Sequence, residues 1–173
     1  MRRVDASTAT LEVFTYKAGL LSAVGHDLLL RVERFELQVD EDRVEGTFDG
    51  SSLTVLGAVK DGAVADGVLS EKDKAEVLEN IRKYVFKGFK PDQITFVSDE
   101  LDGDDTFLEG EGTLTIPPNS HDVDFEVAID DGVAVCELTL HQPDWGITPF
   151  SALMGTLRIQ PDIRVRLTIP WTS

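Results

Sequence analysis

A chain of 173 residues and 19.0 kDa is long enough to bury one full-sized core, and no shift in composition divides it, so one domain over residues 1–173 is expected. It carries 32 Asp plus Glu against 16 Lys plus Arg, and the resulting net charge of −16 repels phosphate backbones, which excludes nucleic acid as an expected partner. No run of about 18 apolar residues occurs, so no membrane insertion is expected, and a single cysteine, Cys136, excludes an internal disulfide.

The first residues, Met1-Arg-Arg-Val-Asp-Ala-Ser7, hold two positive charges with no apolar segment behind them. No secretory signal is therefore expected, and a cytoplasmic location follows as an expectation. From Thr8 to Lys17 the pattern is that of a strand, although Phe14 and Tyr16 share a parity with Thr10 and Glu12, which leaves its inner side open. Leu20, Leu21 and Val24 predict a short helix or turn. His26, Leu28, Leu30 and Val32 keep one parity while Phe35, Leu37 and Val39 take the other, which predicts a long strand bent near Glu33 and Arg34. The next strand repeats the device: Val44, Gly46 and Phe48 lie on one parity, Ser51, Leu53 and Val55 on the other, with Gly50 between them.

Asp61-Gly62 and Asp66-Gly67 mark a loop. Ser70-Glu-Lys-Asp73 then has the form of an N-terminal helix cap, and Val77, Leu78, Ile81 and Val85 follow at helical spacing. One main α-helix over about residues 70–87 is expected, lying on the sheet or covering a barrel end. Strand patterns resume at residues 94–97, 107–116, 123–129 and 133–141, in the last of which Cys136 is expected to pack as a small apolar group. Asp102-Gly-Asp-Asp105, Pro117-Pro-Asn-Ser120 and Asp130-Asp-Gly132 separate them as hairpin connections. In residues 155–169 the apolar Leu157, Ile159, Ile163, Val165, Leu167 and Ile169 alternate with polar residues, a half-buried wall interrupted at Pro161-Asp162. The count is eight or nine antiparallel strands and one helix: an all-β chain able to close as an up-and-down barrel.

Four segments carry a resemblance: Gly50-Ser-Ser-Leu-Thr54, Phe89-Lys-Pro-Asp-Gln-Ile-Thr-Phe-Val-Ser98, Gly110-Glu-Gly-Thr-Leu-Thr-Ile116, and the Asp144-Trp-Gly-Ile147 turn before the long last strand. In their order and spacing they resemble the YceI-like family, over almost the whole chain. The resemblance implies a lipocalin-like, eight-stranded antiparallel β-barrel whose apolar interior holds a polyisoprenoid or another amphiphile. The chain departs from the family in having Pro117-Pro-Asn-Ser-His121 in place of a glycine-containing turn, and a longer helix before Phe89.

Gly110 and Gly112 share the parity of Leu108, Leu114 and Ile116, so they either open a slot in the barrel or permit curvature and close packing. The segment from Trp145 to Met154 is unusually apolar for a loop and is the expected cavity mouth. The residues expected to contact an apolar or amphiphilic small molecule are Leu28, Leu30, Phe48, Phe96, Leu114, Phe125, Trp145, Phe150 and Met154, with His26 at a head group or in a turn. Catalytic chemistry has little to work with. His26, His121 and His141 form no His-x-Glu or Glu-x-x-His pair, and no nucleophile elbow, phosphate loop or cysteine pair is present. No enzyme activity, cofactor or metal is expected, although a zinc site would arise if the three histidines met at one rim. A filled barrel acting as a protein-interaction module is the other alternative, and a homodimer is left open.

Overall fold

The computed structural model describes residues 1–20 and 25–171, so the turn expected from Leu21 and Val24 falls outside the described residues. The strands in chain order are β1 (Arg2–Asp5), β2 (Thr10–Thr15), β3 (Lys17–Ala18), β4 (Asp27–Val32), β5 (Phe35–Val39), β6 (Val44–Phe48), β7 (Leu53–Lys60) and β8 (Ala63–Ala65). After the helix come β9 (Ile94–Ser98), β10 (Asp102–Gly103), β11 (Phe107–Ile116), β12 (Asn119–Asp130), β13 (Val133–His141), β14 (Ser151–Ala152), β15 (Leu157–Ile159) and β16 (Asp162–Pro170). One curled antiparallel sheet runs in the order β1-β5-β6-β9-β11-β12-β13-β16-β2-β4-β7-β8, with β10 attached to β11. β14, β15 and β3 form a small second sheet.

The curl comes from the parity switches. β4 ends at Val32 and β5 begins at Phe35, and across the break the partners change: β4 pairs with β2 and β7, β5 with β1 and β6. The interruption frees two backbone N–H groups, each of which needs a new partner at the corner. Ser52 supplies the partner, its Oγ accepting from Glu33 N at 3.1 Å and Arg34 N at 2.9 Å. Ser52 belongs to the break between β6 and β7, so the two bends are stapled to each other. Asp49 completes the corner: burial works to raise its carboxyl, but hydrogen bonds from Ser51 and Arg34 outweigh this and hold it below the ordinary aspartate value. The last wall breaks in the same way, with Gln160 and Pro161 separating β15 from β16.

The turns follow from local chemistry. Asp61-Gly62 and Asp131-Gly132 both place two residues at positive φ (52° and 80°, 46° and 74°), the mirror-image turn whose twist matches a two-residue hairpin. The loop between β11 and β12 is equally short, since Ile116 pairs with Asn119 and leaves only Pro117 and Pro118 between them. The helix α1 (Glu71–Asn80) starts with the reciprocal Ser70–Asp73 capping box and passes into a wider π turn, Ile81–Val85. Its apolar stripe settles on the sheet, where Val77, Leu78 and Ile81 pack against Leu28, Leu30 and Val55.

Gly110 and Gly112 do not open a slot. A Cβ on Gly112 would lie 2.6 Å from Phe96 Cε2 and 2.8 Å from Val97 O, and one on Gly110 would lie 2.7 Å from Phe125 Cζ. The two rings fill the pits left by the missing side chains and meet each other edge to face, with centroids 5.6 Å apart. Gly46 receives Phe48 in the same manner. Gly112→Ala is therefore expected to displace Phe96 and to destabilise the fold by about 1–3 kcal/mol. Equilibrium urea unfolding measures this, and an alanine variant as stable as the parent would contradict the ring-in-pit packing.

Candidate functional site

The concave face of the sheet encloses an apolar cavity of about 520 Å³. That is within the range of about 300–1,000 Å³ common to small-molecule sites. Its wall is built by alternation: Leu11 and Val13 of β2, Leu28 and Leu30 of β4, Val123 and Val127 of β12, and Ile163, Val165, Leu167 and Ile169 of β16 all point inward. Strand β2, whose inner side the sequence leaves open, presents Leu11, Val13 and Thr15 to the cavity. Phe14 lies on the other side, under the guanidinium groups of Arg164 and Arg166 at 4.7 and 5.1 Å from its ring centre. Trp171 lines the cavity and carries the Arg2 guanidinium 4.0 Å over its ring. Val77, Ile81 and Val85 of the helical segment complete the enclosure.

Of the residues expected at a ligand, Leu28, Leu30, Phe48, Phe96, Leu114, Phe125, Phe150 and His26 lie on the cavity wall. Trp145 and Met154 do not. Met154 is fully exposed in a short helical turn, with φ at +57°. Trp145 is only 2% exposed, but it is buried in a different place. The turn Gln142–Trp145 has Pro143 in its first positions and ends at Gly146, whose φ of +75° closes it in the left-handed manner typical of a glycine cap. This brings the indole against Leu140 and Ile147, with Nε1 donating to Leu114 O at 2.8 Å and Asn119 Nδ2 donating to Trp145 O at 2.8 Å.

The turn sits where the sheet is thinnest. β12 and β13 pair only from Val127 to Asp130 against Val133 to Cys136, so residues 119–126 and 137–141 diverge into an outer groove. His121 and His141 line this groove, while His26 lies in the cavity, so the three histidines do not share one site. His121 stacks obliquely on Trp145 at 5.2 Å and lies 3.7 Å from Asp144; His141 Nδ1 is 2.6 Å from Asp162 Oδ1. Among the described residues no group of three or more His, Cys, Asp and Glu is arranged to hold a metal ion.

Cys136 lies on the cavity wall, and burial pushes its thiol up to about 11, with the Glu137 charge adding to the shift. The raised value favours the neutral form, so at about pH 8 roughly one thiol in a thousand is ionised. Alkylation by iodoacetamide is expected to be negligible near neutrality, to rise steeply towards pH 11, and to slow further when the cavity is occupied. Mass spectrometry of timed reactions reads all three; rapid labelling of the folded protein at neutral pH would contradict the burial.

Sequence reasoning did not single out Thr15 and Lys17, which also line the cavity, and the alternation of the last wall turns Arg158 to water, whereas it borders the cavity rim. A signal for the first two was present, because Thr15 and Lys17 continue the alternation begun by Leu11 and Val13. The crystal structure of BcnA from Burkholderia cenocepacia superposes on this chain with a TM-score of 0.63 at 13% sequence identity, covering 96% of this chain and 98% of that one. At that identity the match establishes a shared fold. No family model matches the sequence, and no curated protein matches it.

Proposed function

We propose that this chain is a YceI-like, lipocalin-like barrel that carries or senses an apolar or amphiphilic small molecule in its interior, without catalysis. The barrel reading rests on treating each bent pair as one strand: β1 with β2, β4 with β5, and β6 with β7. Neighbours then run from these through β9, β11, β12, β13 and β16, and β16 pairs back onto β2 through Arg164 to Thr168 against Phe14 to Thr10. That makes eight strands in a ring, and a ring of eight is just wide enough to hold one small ligand.

The observation that carries the functional reading is the enclosed cavity with an almost wholly apolar wall. A filled barrel serving as a protein-interaction module would have packed this space with side chains. Each methylene buried there contributes about 0.8 kcal/mol, so about ten of them suffice for micromolar binding without directed polar contacts. Native mass spectrometry with organic extraction of protein purified from its own host tests the proposal. A co-purified lipid-like molecule is expected; no bound molecule, together with a crystal structure whose interior is filled, overturns it.

A further inference from the structure

The polar residues of the cavity wall are not distributed at random. Acidic residues outnumber basic ones by 32 to 16 in the chain, yet among the described residues no Asp or Glu lines the cavity, whereas Lys17, His26 and Arg158 do. These three lie together at one end. Lys17 pairs with Ile159 and Ala18 with Arg158 in the small sheet, so Lys17 shares the inner face with Ile159 while Arg158 borders the rim from the opposite face, and Gly25, beside His26, lies against the Lys17 stem. His26 and Arg158 are exposed and Lys17 is half-buried, so this end is a mouth open to solvent.

The wall grades towards it. On the inner face of β2 and β3 the succession is Leu11, Val13, Thr15, Lys17: two aliphatic chains, a hydroxyl, then a cation. Thr15 Oγ1 is buried and has no hydrogen-bond partner, a costly state for a hydroxyl unless a ligand supplies one. β4 repeats the gradient from Leu30 through Leu28 to His26. Neither Lys17 Nζ nor the Arg158 guanidinium is paired with a carboxylate among the described residues. The nearby acids are engaged elsewhere: Asp27 accepts the Lys17 backbone N–H at 2.8 Å, and Asp73, which faces His26, is bound into the helix cap by Ser70.

We propose that the cavity takes a single-chain amphiphile with an anionic head, a carboxylate or a phosphate, held at the mouth by Lys17 with its tail along the apolar wall. Thr15 Oγ1 donates to the head and His26 flanks it. This rests on the carrier reading and narrows its ligand class. The overall negative charge does not oppose it, because exposed charges more than a Debye length of roughly 8 Å away are largely screened at physiological salt, and the mouth itself is cationic.

The test compares three probes with one tail: hexadecanoate, hexadecyl phosphate and hexadecanol, titrated calorimetrically into the full chain. Loss of a charge-assisted bond to Lys17 predicts that at least one anion binds about ten- to hundredfold more tightly than the alcohol. Whichever anion binds more tightly identifies the head as carboxylate or phosphate. In Lys17→Met, which keeps the apolar stem, the ratio of anion to alcohol affinity is expected to fall to near one. Equal binding of all three probes by the parent, or an unchanged ratio in Lys17→Met, overturns the anionic head while the carrier reading stands. Binding of none of them overturns the single-chain amphiphile, and the extraction of co-purified material then decides the carrier reading separately.

Discussion

Trp145→Ala is expected to cost about 3–5 kcal/mol of stability, the largest effect of any single substitution considered. The indole is buried to 2% exposure, packs on Leu140 and Ile147, and closes the stretch where β12 and β13 part company. Two losses combine on truncation. The cavity left by the ring cannot collapse, since strands on both sides are held in their ladders to β11 and β16. Leu114 O also loses its 2.8 Å donor in a buried site, which carries a separate penalty. Against a typical domain stability of about 5–15 kcal/mol, the alanine variant is expected to unfold at a much lower urea concentration or to fail to fold. Trp145→Phe keeps most of the packing and removes the donor, so it isolates the hydrogen bond at about 1–2 kcal/mol. Because Trp145 is off the cavity wall, the phenylalanine variant is expected to bind hexadecanoate as the parent does. A cost below about 1 kcal/mol for alanine, or a large change in binding for phenylalanine, would contradict this placement of the ring.

The same residue shows where sequence legibility ends. The bends at Glu33 and Gly50 could be read because a strand cannot change its inward parity without a break, and that rule is local. The Asp-Gly hairpins and the Ser70 cap were readable for the same reason, each being chemistry among a few consecutive residues. The apolar set from Trp145 to Met154 could be recognised as needing burial, but not sorted. Trp145 finds Leu114 and Asn119 more than two dozen residues away, Phe150 meets Tyr84 with ring centres 6.0 Å apart, and Met154 turns to solvent. Such partners depend on how strands stack around the curl, which alternation does not encode. Likewise, two glycines on an inward parity are compatible with a void or with a neighbour's ring. Only the register, with Gly110 opposite Phe125 and Phe96 opposite Leu114, decides for the rings.

Leu138→Trp is expected to weaken hexadecanoate binding by about a hundredfold while leaving the fold as stable as before or slightly more so. Leu138 sits midway along β13, opposite Val165 and between Cys136 and Leu140, and all four line the cavity. An indole in place of an isobutyl group takes up room that would hold roughly three or four tail methylenes. At about 0.8 kcal/mol each, their exclusion removes about 3 kcal/mol of binding. The opposite sign is expected for stability, because the added ring covers apolar wall that is otherwise bare, and cavity-filling substitutions commonly stabilise by about 0.5–2 kcal/mol. The two readouts together separate an interior that holds ligand from one that is merely loosely packed. Titration calorimetry gives the first and urea unfolding the second. If the tryptophan destabilised the protein by about 1–3 kcal/mol, the space around Leu138 would be occupied by side chains rather than open. If binding persisted undiminished in a stable variant, the tail would lie elsewhere than along β13 and β16, and the carrier reading would lose the wall on which it stands.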